Sequence, residues 1–258
     1  MILTVDVGNT QITGGLFDED GKLVLQFRRT THMGTSSDEL GLFFRSVIRE
    51  NGFHWQKIQR IGVCSVVPSI NYSLQSAFTK YFNCRALFIQ AGIKTGLKLR
   101  YANPKEIGAD RIAAAIGAVS LHPETDLIVI DMGTATTIDV VTKDKEYLGG
   151  AIIPGLRISV EALANETAKL PMVEITKPEH SLGTNTIEAI QSGIFYIHLG
   201  GLKELCSQYT TSIFNGKKPL VLGTGGFSRI FEETKLFDEI SPELVLLGIK
   251  KALELNKE

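Results

Sequence analysis

Ile2-Leu3-Thr4-Val5-Asp6-Val7-Gly8-Asn9-Thr10 opens the chain, and Leu127-Ile128-Val129-Ile130-Asp131-Met132-Gly133-Thr134-Ala135 stands near its middle. Each is a β-rich apolar run, then Asp-x-Gly, then a small hydroxyl or amide residue. A second strand is predicted after each, over 12–17 and 136–141. Polar turns follow at Asp18-Glu19-Asp20-Gly21 and Lys143-Asp144-Lys145, and third strands over 22–27 and 146–153. Asp6 and Asp131 lie 125 positions apart in a chain of 258 residues. A shared order of strand, Asp-x-Gly, strand, turn, strand at half the chain length reads as an internal duplication. The predicted domains are 1–118 and 119–258.

Helical patterns fill the gaps. Ser36 and Glu39 form a capping-box signature, and Leu40, Phe43, Phe44, Val47 and Ile48 recur at helical spacing before Gly52. Strands are predicted over 60–67 and 86–90 with a helix over 69–82 between them. In the second half, helices are predicted over 156–169, 186–209 and 242–255, and a strand over 219–223. Hairpins followed by alternating strand and helix make this an α/β chain with mixed sheets, in two similar halves.

Composition narrows the function classes. Lys plus Arg is 27 and Asp plus Glu is 28, a net charge of -1, which argues against a surface that tracks nucleic acid or an anionic membrane. Apolar residues make up 43% and charged residues 21%, enough to build a core. No apolar run reaches the ~18 to 20 residues of a membrane helix. Asp6 ends the first apolar run and no basic segment precedes it, which reads against a signal peptide. Cys64, Cys84 and Cys206 are scattered and never form CxxC, and the five histidines form no HExxH. A disulfide scaffold and a histidine-built metal site are therefore not expected, and a reducing, cytoplasmic setting is.

The Asp-x-Gly loops carry the first chemical signal. Glycine allows a tight turn and close backbone approach to a ligand. Backbone N–H groups and the hydroxyls of Thr10 and Thr13, or of Thr134, Thr136 and Thr137, can donate to phosphate oxygens. A carboxylate beside a phosphate needs a cation between them, so Asp6 and Asp131 imply magnesium and a monovalent ion. Two such loops could clasp one polyphosphate. Gly223-Thr224-Gly225-Gly226 follows a strand and suits the flat approach of a nucleotide, or is a packing turn. It lacks the GxGxxG spacing, and no GxxxxGK[ST] segment exists.

A third cluster runs from Tyr101 through Asn103-Pro104 to Gly108-Ala109-Asp110-Arg111, at the start of an alanine-rich helix. Asp110 reads as an N-cap or as a proton acceptor for a substrate hydroxyl, and spacing alone favours the cap. Arg111 in a first helical turn runs against the helix dipole and points to a recruited anion. Gly149 to Gly155 lines a pocket or turns the chain. Thr186, after Gly183, is an N-cap or faces a ligand.

Taken in order, these motifs, with Ala168-Lys169-Leu170-Pro171 and the Gly183, Thr186, Ala189, Ser192-Gly193 spacing, resemble the type III pantothenate kinase family over nearly the whole chain. The resemblance implies an actin-like ATPase fold, two ribonuclease-H-like domains around a cleft. It implies phosphorylation of pantothenate by ATP, with Mg2+ and a monovalent cation, K+ or NH4+. Carried over, Asp6, Val7, Gly8, Asn9, Thr10, Gln11, Ile12 and Thr13 match the first phosphate loop, with Asp6 near magnesium. Asp131 matches the monovalent-cation ligand, Thr134 an ATP contact, and Gly225 and Gly226 the adenosine side. Tyr101, Gly108, Ala109, Asp110 and Arg111 match the pantothenate site, with Asp110 as proton acceptor. Thr186 matches a substrate contact supplied by a partner subunit, which implies a homodimer. The rival readings are another small-molecule kinase of the superfamily and a regulatory relative in transcription. A regulatory relative is expected to have lost Asp110 or one phosphate loop, and both are intact.

Overall fold

The computed structural model describes residues 1–257. The chain runs through β1 (Ile2–Val7), β2 (Gln11–Phe17), β3 (Leu23–Thr30), α1 (Ser37–Glu50), β4 (Arg60–Ser65), α2 (Asn71–Phe82), β5 (Leu87–Phe88), β6 (Lys98–Leu99) and α3 (Ala109–Leu121). It continues through β7 (Leu127–Met132), β8 (Ala135–Val141), β9 (Glu146–Pro154), α4 (Leu156–Glu166), α5 (Thr186–Ser212), β10 (Leu220–Thr224), β11 (Glu239–Ile240) and α6 (Leu244–Leu255).

Two mixed sheets result, in the orders β3-β2-β1-β4-β5 and β11-β10-β7-β8-β9-β6. They follow one plan. β1, β2 and β3 form an antiparallel meander, β4 runs parallel to β1, and β5 parallel to β4. β7, β8 and β9 repeat the meander, with β10 parallel to β7 and β11 parallel to β10. The ladder irregularity recurs as well, at Leu16/Phe17 and at Val140/Val141. This shared plan fits the duplication read from the two Asp-x-Gly stretches. β6 is an addition to the second sheet, beside β9.

The chain divides into two compact units. One holds Met1–Leu97, Ala102–Leu121 and the segment from Leu244 onward; the other holds Lys98–Tyr101 and His122–Glu243. A single cut near 118 therefore does not separate them, because the last helix returns to the first unit. The reason lies in two glycines. A Cβ on Gly117 would stand 2.3 Å from Leu244 O, and one on Gly248 would stand 1.8 Å from Ala113 O. Only bare backbone lets α3 and α6 come so close. α3 is apolar on all sides from Ile112 to Val119, and Arg111 through Ala118 are buried, as expected of a helix whose middle is enclosed.

In the first unit, Leu3, Val5, Val7 and Ile12 join Leu40, Phe44, Leu74 and Phe78 of α1 and α2 in one core. α1 begins as its sequence predicts: Ser36 accepts from the Glu39 N–H, and Glu39 accepts from the Ser36 N–H at 2.8 Å. Strand positions two apart share a face, so Thr4 and Asp6 point to the opposite side from Val5 and Val7. That side is covered by α6. Gly15 and Gly62, the cross-strand partners of Thr4, lie against Leu246 and Ile249. α3 contacts β4 as well as α6. Asp6 and the helix that carries Asp110 thus occupy the same face of the first sheet.

In the second unit, Ile130, Met132 and Ile138 pack with Val160 of α4 and with Ile194, Phe195 and Leu202 of α5. The helix predicted over 156–169 stops at Glu166, and 167–185 has no helix or strand; Pro171 and Pro178 punctuate it. α5 runs on past Tyr209 to Ser212, ahead of Asn215 and Gly216, both at positive φ.

Candidate active site

The two Asp-x-Gly stretches occupy matching places. Asp6 is the fifth residue of β1, paired with Thr13 on β2 and Cys64 on β4. Asp131 is the fifth residue of β7, paired with Thr137 on β8 and Thr224 on β10. Both aspartates are half-buried. The turn after Asp6 is closed by the Gly8 N–H donating to Gln11 O at 3.0 Å, and the turn after Asp131 by the Gly133 N–H donating to Ala135 O at 3.1 Å. Asn9 and Gln11 are exposed, Thr10 and Thr13 half-buried, and Val7 and Ile12 buried among core residues. Of the residues predicted for the first loop, Val7 and Ile12 therefore anchor it, and the rest reach its surface.

The second unit unites two motifs that are separate in sequence. A Cβ on Gly225 would stand 2.3 Å from Asp131 Oδ1 and 2.6 Å from Met132 N. Gly225 has φ +85, and the Phe227 N–H donates to Met132 O at 3.1 Å. Buried Ser228 ties the turn from behind, its hydroxyl donating to Gly225 O at 2.9 Å. The Gly-Thr-Gly-Gly turn thus lies directly on the Asp131 loop, and Gly226 beside it is exposed with open space around its Cα.

Thr136 departs from expectation. It pairs with Met132, so it shares the core face of β7 and β8. It is fully buried, and its hydroxyl has no hydrogen-bond partner among the described residues. It does not donate to a ligand at the loop surface, whereas half-buried Thr134 sits in the turn itself.

At the start of α3, Ala109 is the first helical residue. Gly108 therefore occupies the N-cap position, its carbonyl accepting from the Ile112 N–H at 3.2 Å. Asp110 falls in the first turn and is not the cap. Its Oδ1 accepts from the Arg111 N–H at 2.8 Å. A Cβ on Gly108 would stand 2.4 Å from that same oxygen. Bare backbone at 108 leaves the carboxylate its place. Arg111 is only 6% exposed.

The remaining candidates lie elsewhere. Tyr101 belongs to the second unit, where its ring rests against Gly149 and 6.4 Å from the ring of Tyr147. Thr186 is the first residue of α5 and is exposed; the N-cap is Asn185, which accepts from the Glu188 N–H at 3.0 Å. Glu188 in turn accepts from the Thr184 N–H and hydroxyl, both at 2.9 Å. The Thr184 backbone N–H, aided by its hydroxyl, holds the Glu188 carboxyl below the usual range. Thr184, Asn185 and Glu188 thus fasten the turn that presents Thr186. Among the described residues, no three His, Cys, Asp or Glu side chains gather to hold a metal. Burial, with Asp238 nearby, pushes the Cys206 thiol up to about 11, so it stays protonated at neutral pH.

No helix among the described residues is long and apolar enough to cross a membrane. The model of the family described as type III pantothenate kinase matches residues 2–208. A protein from Legionella pneumophila (strain Corby) called type III pantothenate kinase is 52% identical, with 99% of each chain covered. Among solved structures, a Campylobacter jejuni protein provisionally described as a Baf family transcriptional activator covers 98% of both chains at TM-score 0.63 and 20% identity. A Sinorhizobium meliloti protein provisionally described as a 2-dehydro-3-deoxygalactonokinase follows at TM-score 0.61 and 11% identity, with 98% of this chain and 96% of that chain covered. These structures share the fold of two α/β units, and the sequence match extends over both units and all the motifs above. The chain belongs to the type III pantothenate kinase family.

Proposed function

We propose that this protein transfers the γ-phosphoryl group of ATP to the primary hydroxyl of pantothenate, giving 4'-phosphopantothenate, the first step of coenzyme A synthesis. One observation carries the reading: the aspartate hairpin occurs twice at the same sheet position, and the first copy shares a sheet face with the helix bearing Asp110.

The residues divide the work. The loop of Asp6, Val7, Gly8, Asn9, Thr10, Gln11, Ile12 and Thr13 receives the phosphates, with Thr134 contributing from the second loop and Gly225 and Gly226 flanking the adenosine. Tyr101, Gly108, Ala109, Arg111 and Thr186 orient pantothenate. The substrate hydroxyl oxygen bonds to the γ-phosphorus as the bond to the bridging β-phosphate oxygen breaks. The hydroxyl proton passes to the Asp110 carboxylate, and ADP leaves. Positioning and charge neutralisation do most of the work in such a transfer.

The donor set fits loosely held cations. No three acidic, His or Cys side chains cluster among the described residues, so magnesium would be held chiefly by the phosphates and water, with Asp6 nearby. The Asp131 carboxylate and neighbouring backbone carbonyls suit a monovalent cation, K+ or NH4+. When bound, these cations would supply charge neutralisation of the triphosphate.

A second copy of the chain is proposed to cover α5. Ile187, Tyr196 and Ile197 are 51%, 43% and 75% exposed. With Gly193 and Gly200, also exposed, Tyr196 and Ile197 recur at helical spacing along one side. Thr186 begins the same helix, so a homodimer would bring it to the partner's substrate. Sedimentation should show a dimer, and Ile197→Asp should give monomers. A wild-type monomer would remove this part of the reading. We place the protein in the cytoplasm, where a reducing setting suits Cys64, Cys84 and Cys206, all free thiols.

The deciding assay is purified protein with ATP, pantothenate, Mg2+ and K+. Formation of ADP and phosphopantothenate is the expected result. No turnover, or equal turnover with unrelated alcohols, would overturn the assignment.

A further inference from the structure

We propose that Thr31 is the positioning residue of the first phosphate loop, setting the direction of the backbone donor that meets the triphosphate. The inference rests on reading 6–13 as a phosphate loop. Thr31 lies just beyond β3, outside every motif of the chain. Its hydroxyl donates to Gly8 O at 2.7 Å, and its backbone N–H donates to Thr10 O at 2.9 Å. One half-buried residue therefore grips the turn at two carbonyls, on either side of Asn9.

The consequence follows from the peptide plane. No peptide bond in the described chain is cis, so the C=O of Gly8 and the N–H of Asn9 point to opposite sides of one rigid unit. A Gly8 oxygen held toward Thr31 turns the Asn9 N–H to the other side of the turn. An inward-facing carbonyl would repel phosphate, and an inward-facing N–H attracts it. The loop has glycine at 8, so its backbone alone does not choose between the two orientations. The Thr31 hydroxyl makes that choice before nucleotide arrives.

The closing experiment uses three variants of the full-length protein, each checked by thermal unfolding without nucleotide. Thr31→Val keeps the β-branched shape and the backbone bond to Thr10 but removes the hydroxyl. Losing one neutral hydrogen bond should raise KM for ATP about 3- to 10-fold. KM for pantothenate should not change. Thr31→Ser should return KM for ATP to within about twofold of wild type. Asn9→Pro removes the donor itself and should raise KM for ATP at least as much as Thr31→Val. If Asn9→Pro leaves KM for ATP unchanged, the phosphate-loop reading fails and the role of Thr31 falls with it. If Asn9→Pro raises it and Thr31→Val does not, Thr31 alone is overturned. An equal rise in both substrates' KM for Thr31→Val, or a serine variant no better than valine, would also reduce Thr31 to a structural residue.

Discussion

In the first sheet the turn after Asp6 lies between Val7 and Ile12 and is gripped by Thr31; in the second the turn after Asp131 lies between Met132 and Thr136, one residue shorter. The position that matches Thr31 is Gly155, since Gln11 pairs with Thr30 and Ala135 with Pro154. A Cβ on Gly155 would stand 2.3 Å from Thr134 O and 2.6 Å from Gly133 O. The second turn is thus wedged by backbone where the first is held by a hydroxyl, and Gly225 presses on it from the β10 side. The helices that end the two halves of the sequence differ as well, although both pack in the first unit. α3 opens with Ala109-Asp110-Arg111, and α6 has no acidic residue in its first turn. One strand plan therefore carries two kinds of loop. The first has side-chain control, and Asp110, the proposed proton acceptor, stands on the helix of the same sheet face. The second is confined backbone around one carboxylate, a form suited to holding a cation in a fixed shell.

The strongest way to break this division is at α3. Asp110→Asn should fold and bind ATP normally and lose about 10² to 10⁴ in kcat. Activity within tenfold of wild type would show that the halves do not differ in this chemistry. Next comes Gly108→Ala. Its methyl would collide with the Asp110 carboxylate, 2.4 Å away, and displacing a reacting group by about 1 Å can cost ~10²-fold. The loss should appear in kcat, with the unfolding temperature little changed. Unchanged turnover would mean that the carboxylate does not act from the position seen here.

In the second half the matching probe is Gly225→Ala. A non-glycine residue at φ +85 carries strain of about 1 to 3 kcal/mol, and the methyl would crowd Asp131 Oδ1. Thermal unfolding should detect the strain. Activity in K+ should fall toward the activity in Na+, while KM for pantothenate holds. A variant that keeps its preference for K+ would separate the Gly225 turn from the proposed cation site at Asp131.

The hairpins, the capping box of α1 and both Asp-x-Gly loops were legible because each is a local pattern: alternation, a three-residue cap spacing, a glycine at a turn. What escaped depends on contacts distant in sequence or on a shift of one residue. Gly117 and Gly248 make α6 part of the first unit, and neither glycine alone signals it. Thr31 looks like any threonine after a strand, because its partners lie across the turn. As N-caps, one of the two readings open for each, Asp110 and Thr186 stand one or two positions late. Gly108 takes the first cap position with no side chain, and Asn185 takes the second. Cap residues compete over adjacent positions, and only the backbone decides among them. Chemistry alone groups Thr136 with Thr134 and Thr137, although alternation puts it on the opposite face from Thr137.

Thr136 also supplies the smallest test. Val7 faces Ile12 in the first hairpin and Met132 faces Thr136 in the second, so Ile12 is its counterpart. Ile12 is 2% exposed and Thr136 fully buried. The first half fills this core position with hydrocarbon; the second leaves a hydroxyl there without a partner among the described residues. An unmet buried polar group costs about 1 to 3 kcal/mol, and valine has nearly the shape of threonine. Thr136→Val should therefore stabilise the protein by about 1 kcal/mol, a rise of ~2 to 4 °C in Tm for a chain of this size. Activity should not change. Isoleucine would restore the first half's residue, but its extra methylene adds overpacking strain of about 1 to 3 kcal/mol, so it should gain less than valine. A valine variant with lower Tm or impaired turnover would mean that the hydroxyl has a partner in the working enzyme, and that the two hairpins differ in their cores as well as in their turns.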